Sequence, residues 1–102
     1  MDYCICEASY ADLDGGGVVY RTVLVLTSDS NKALVCLIKK EYYKTKKDQH
    51  KQYYKIDDYE QAGVEQQSYI VAVPHILPMS SIKSKIGVLS AKDKLQFIKI
   101  ME

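Results

Sequence analysis

Over residues 3–38 the chain alternates short β-favouring runs with polar, glycine-bearing breaks. Residues 3–10 alternate only in part and predict a first strand. Residues 11–17, with Asp12, Asp14 and three glycines, predict a loop. Residues 20–26 predict a strong second strand, and the polar cluster at 27–32 a turn. Residues 33–38 are apolar throughout, which predicts a central strand buried on both faces. The polar stretch 41–52 reads as a long hairpin with its tip at 46–49 and tyrosine pairs on its arms, Tyr42-Tyr43 and Tyr53-Tyr54. Asp57 and Glu60 mark the opening of a short helix, with Gly63 placed to stop it. Residues 68–73 predict another strand, ended by Pro74, and Pro78 blocks a simple continuation. A short mixed segment, 82–89, carries Gly87. Ser90 and Asp93 then cap a C-terminal helix, in which Leu95, Ile98 and Met101 are spaced to share one face. The pattern predicts a mainly β (α+β) fold, a small β-barrel or curled sheet with a short helix and a C-terminal helix.

Length and composition narrow this. At 102 residues and 47% apolar, the chain is expected to form a single domain over residues 1–102. A core this small is often completed by dimerisation. No apolar run approaches the roughly 18 residues of a membrane span, so no membrane partner is expected. Residues 1–4 carry no basic and hydrophobic leader pattern, which makes a cytoplasmic location the expectation. Cys4, Cys6 and Cys36 are odd in number and lack the spacing of a disulfide framework or a zinc site. They are expected to pack as small hydrophobes, with Cys4 and Cys6 on the same side of a strand.

Charge changes the picture more. The formal net charge is +1, yet residues 39–55 carry seven lysines against Glu41 and Asp48, a net of +5. Residues 1–20 hold only acidic charges. Such asymmetry draws in phosphate even on a nearly neutral chain. Gly15-Gly16-Gly17 followed by Arg21 and the apolar Val23-Leu24-Val25-Leu26 places one guanidinium at the lip of a buried strand. Glycine lets a ligand approach the backbone, and arginine matches a phosphate with two parallel bonds. A phosphate-binding edge and a hairpin loop with a solvated arginine both fit these residues. Lys44, Lys46 and Lys47 lie between the tyrosine pairs, a pattern suited to phosphates and stacked bases or to a solvated loop. His50 and His75 are placed where solvation or packing accounts for them.

Three segments, in order along most of the chain, resemble the MazF/PemK (Kid-like) toxin family. They are Gly15-Gly16-Gly17 with Arg21 and Val23-Leu24-Val25-Leu26; Ala62-Gly63-Val64 with Gln67-Ser68-Tyr69-Ile70; and Lys85-Ile86-Gly87-Val88-Leu89-Ser90 with Asp93 and Leu95. The resemblance implies an SH3-like barrel, a homodimer, an antitoxin protein as partner, and cleavage of single-stranded RNA with no metal or cofactor. It implies attack by the ribose 2′-OH on the adjacent phosphate. Arg21 would stabilise the charge. Thr22 stands where the family has proline, and Lys39 where it has a threonine or serine. Lys39 would then act as a donor to phosphate, and as a base only where burial or neighbouring cations lower a lysine pKa. Gly15, Gly16, Gly17, Lys40, Lys44, Lys46 and Lys47 would bind substrate. The alternative is a catalytically degenerate member that binds RNA or an antitoxin-like protein.

Overall fold

The structure, a computed structural model, describes residues 2–11, 17–40 and 52–101. Among the described residues, seven strands and one α-helix follow in order: β1 (Cys4–Ala11), β2 (Val18–Ser28), β3 (Lys32–Lys39), β4 (Tyr53–Lys55), β5 (Tyr69–Val71), β6 (His75–Pro78), β7 (Ile82–Val88) and α1 (Ala91–Met101). A 3-10 turn at Met79–Ser81 links β6 to β7. All pairings are antiparallel, in the order β4-β5-β3-β2-β1-β7. The far edge of β3 is shared, with β6 along Lys32 to Val35 and β5 along Ile38 and Lys39. Among the described residues this path stays open, so the fold is a mainly β sheet with a C-terminal helix. The SH3-like barrel expected above is a stronger statement than this pairing.

Both faces of the central strands are covered, which explains why residues 23–26 and 33–38 read as unbroken apolar runs. On one face Ile5, Leu24, Cys36 and Ile70 pack with Ile56, Leu89 and Phe97 of α1. On the other, Cys4, Cys6, Val23, Val25 and Val35 pack with Leu77, Met79 and Ile82. The three cysteines are free and buried, as their spacing suggested. Burial raises the Cys6 thiol and pushes Cys36 up to about 11, so both thiols are held in the weakly nucleophilic protonated form. Of the polar cluster at 27–32, residues 29–31 form the β2–β3 turn, while Thr27 and Ser28 end β2 and Lys32 opens β3. The Asp29 carboxylate accepts from the amides of Asn31 (2.7 Å) and Lys32 (2.9 Å), which holds its pKa below the usual carboxylate value.

Two expectations need correction. The short helix foreseen from Asp57 is a run of turns over residues 57–63. Gly63, at φ +86°, stops the chain after one turn, with the Gly63 amide on the Glu60 carbonyl (3.1 Å) and the Val64 amide on the Tyr59 carbonyl (3.2 Å). Nor does α1 bury all of the face of Leu95, Ile98 and Met101: Leu95 is 62% exposed, while Met101 packs against the core. Asp93 and Phe97 face inward instead, because the Asp93 carboxylate is recruited by buried donors and sets the rotation of the helix.

Candidate functional site

Gly17, at φ +87° and with open space around it, turns the chain into β2, and Arg21 follows inside that strand. Arg21 pairs with Ala8, and Ala8 with Ile82 on β7. The β2–β3 ladder ends at Val23–Leu37, and the same register carried two residues on sets Lys39 level with Arg21. Lys39 pairs with Tyr69, and Tyr69 with Lys55. Side chains at paired positions share a face. Arg21, Lys39, Tyr69 and Lys55 therefore form a cross-strand row on the face of Val23 and Leu37. Strand spacing makes that row about 14 Å long. Arg21 and Lys55 are exposed, and Lys39 and Tyr69 half-buried. Among the described residues the one ion pair joins Lys92 to Asp57 (3.3 Å), so the three cations of the row have no carboxylate partner there. A row of cations attracts a polyanion, and a phenol among them adds a hydrogen-bonding hydroxyl and a ring face.

Carried past the last β2–β3 pair, the register thus sets Arg21 and Lys39 on one face, and alternation sets Lys40 on the other. Lys40 lines a cleft of about 380 Å³ on the opposite face, with Glu7, Thr22, Ile38, Val64 and Ile86 among its walls. Glu7 pairs with Thr22 across β1 and β2, which places both on this face. Gly15, Gly16, Lys44, Lys46, Lys47 and His50 lie outside the described residues, as does the predicted hairpin tip. His75 pairs with Val35 on β6 and is exposed, away from the row. Lys55 and Tyr69 were missed as site residues. The available signal was alternation: Tyr54 and Ile70 beside them are apolar core positions, which turns Lys55 and Tyr69 to the other face.

One wall of the cleft, residues 63–68, is held by a buried carboxylate. Asp93 is fully buried and accepts from the Tyr54 hydroxyl (2.6 Å), the amides of Asp57 (3.1 Å) and Asp58 (2.9 Å), and the Ser90 hydroxyl (3.2 Å). The Asp93 amide returns a bond to Ser90 Oγ (3.1 Å), closing the cap of α1. Burial alone would raise this carboxyl; the bonds from Tyr54, Asp58, Asp57 and Ser90 outweigh it and hold the pKa below its ordinary value. Burial, and then the bond to Asp93, push the Tyr54 phenol well up. The turn that Asp93 anchors ends at Gly63, where a Cβ would lie 2.5 Å from the Ile86 carbonyl oxygen. A Cβ on Gly87 would in turn run into the Ala62 carbonyl. The glycines let the turn dock on β7 backbone to backbone.

No protein-family model matches the chain, and a search of curated proteins finds no match.

Proposed function

We propose that this protein binds single-stranded RNA along the Arg21–Lys39–Tyr69–Lys55 row and cleaves it without a metal ion, in the manner of MazF/PemK-like toxins. The observation that carries the reading is the cross-strand register that lines up three cations with no carboxylate partner among the described residues. On this reading the ribose 2′ oxygen attacks phosphorus and the P–O5′ bond breaks. The products are a 2′,3′-cyclic phosphate and a 5′-hydroxyl end. Arg21 binds two phosphate oxygens and stabilises the charge that builds on them. Lys39 donates to the same phosphate. Tyr69 is the nearest hydroxyl in the row and relays the proton between the 2′ and 5′ oxygens.

The same proposal includes an SH3-like barrel. It is supported by the direct run of β6 through the Met79–Ser81 turn into β7, which draws the two flanks of β3-β2-β1 around Cys6, Val23 and Val35. It also includes a homodimer with an antitoxin partner, supported by exposed apolar side chains such as Val18 and Tyr20 on β2.

The second reading, a binding module without chemistry, is favoured by Lys39 standing where the resemblance calls for a threonine or serine. Incubation with a mixed single-stranded RNA in EDTA separates the two. Cleavage in EDTA, lost on Arg21→Ala with at least about a hundredfold drop in rate, supports the nuclease. Binding without cleavage supports the module. Cleavage that survives Arg21→Ala, or no RNA binding at low salt, refutes the site.

A further inference from the structure

We infer that the cleft on the opposite face is a guanine nucleotide site, with Glu7 reading the base and Lys40 holding the phosphate. The choice of ligand rests on the RNA reading above; the geometry of the cleft does not.

The cleft holds about 380 Å³, room for one nucleotide, and falls within the range of small-molecule sites. Its apolar walls come from three separate segments, Ile38 on β3, Val64 after the turn and Ile86 on β7. Side chains so arranged can sandwich a flat ring. Glu7 and Glu65 line the same cleft as Lys40, and neither carboxylate forms an ion pair with it, so charges of both signs face one space. A ligand that meets both Glu7 and Lys40 presents N–H donors to the carboxylate and an anion to the ammonium. An ionised carboxylate is an acceptor only, with two oxygens side by side. Among the four RNA bases only guanine offers two parallel N–H donors on its Watson–Crick edge, at N1 and N2. Adenine offers one amino group beside an acceptor, cytosine likewise, and uracil a single N–H between carbonyls. The Thr22 hydroxyl, on the strand position facing Glu7, supplies a further donor or acceptor.

The test is titration of the whole chain with GMP, AMP, CMP and UMP, followed by amide NMR shifts. The expected result is a set of GMP-induced shifts at Thr22, Val64 and Ile86, with GMP about tenfold tighter than AMP. Glu7→Gln should erase that preference, because an amide presents only one acceptor. Lys40→Gln should leave the guanine preference but remove the advantage of GMP over guanosine. Glu7 and Lys40 are exposed, so both variants should fold. Equal binding of GMP and AMP, shifts confined to other strands, or an unchanged preference in Glu7→Gln overturns the inference. A pair of oligonucleotides with and without guanine separates the two proposals. Equal, Arg21-dependent binding of both sinks the guanine site alone; binding of neither sinks the RNA reading, while the GMP titration still decides the cleft.

Discussion

Replacing Asp93 with asparagine should cost this protein more than any surface change. Asp93 Oδ1 accepts from Tyr54 and the Asp57 amide, and Oδ2 from the Asp58 amide and Ser90. Asparagine keeps one acceptor oxygen and turns an NH2 group towards the other pair. Tyr54 and Ser90 hydroxyls can rotate to accept, but the amide of Asp57 or Asp58 cannot. Whichever way the side chain flips, one part-buried backbone donor faces a donor. Leaving a buried donor unsatisfied costs about 1–3 kcal/mol, and a hydrogen bond to a charged group is worth about 1.5–3 kcal/mol. These overlap rather than add, so a loss of about 2–4 kcal/mol is expected. For a domain of this length that lowers Tm by roughly 10–25 °C. Thermal unfolding followed by circular dichroism measures it. Tyr54→Phe removes one of the four donors and should cost less, about 1–2 kcal/mol. A double-mutant cycle should then show strong coupling between the two positions. A Tm change under about 3 °C in Asp93→Asn would refute the view that this carboxylate organises α1 and the 57–63 turn.

The remaining stability predictions are simpler. Gly87→Ala should lower the urea midpoint by an amount equivalent to about 1–3 kcal/mol, because the new methyl meets the Ala62 carbonyl. Gly63→Ala adds a left-handed penalty of about 1–2 kcal/mol, and the pair should be non-additive since both changes open the same contact. At the acid end the depressed Asp93 pKa contributes stability that is present above the unfolded value, near pH 4, and lost as pH falls through the folded one. At the alkaline end Cys36 and Tyr54 are raised, so their contribution is present at neutral pH. It is lost as pH climbs from about 8.5 towards about 11 for Cys36, and above about 10 for Tyr54. Urea titrations at pH 3, 7 and 10.5 should therefore give their highest midpoint at pH 7, and a midpoint that rises at either extreme contradicts the assignment.

Much of this fold is legible where local chemistry and tertiary demand agree. The run at 33–38 reads as a doubly buried strand because nothing polar interrupts it, and Asp29 reads as a turn because its side chain satisfies the amides that the turn exposes. Ser90 and Asp93 read as a cap for the same reason. The phase of α1 is not legible. An apolar count assigns Leu95 to the core, but the inward position belongs to a carboxylate whose donors come from residues 54–58, some 35 positions away. The short helix at 57 fails through the same contact, since the amides it would have capped itself are taken by Asp93. The candidate site divides likewise. Arg21 stands out beside its glycines. Its alignment with Lys39, Tyr69 and Lys55 depends on the register of four strands, which no local pattern encodes. Lys39 and Lys40 look equivalent in the sequence, and strand alternation sends them to opposite faces.

The two faces are also held by different physics. The row of Arg21 and Lys39 sits on β2 and β3, where ladder bonds and two core clusters fix the backbone on either side. The cleft depends on the 57–68 segment, whose position is set by one carboxylate and by backbone contact between Gly63 and β7. That contact joins two of the glycine-bearing segments, 62–64 and 85–90, that are separated in the chain. A change at Asp93, Gly63 or Gly87 should therefore distort the cleft before it disturbs the row. If the cleft selects guanine and the row holds phosphate, partial loosening of this turn would relax base preference while leaving the salt dependence of RNA binding in place. Loss of both together would mean that the two faces are one cooperative unit, and that the sheet itself leans on the turn.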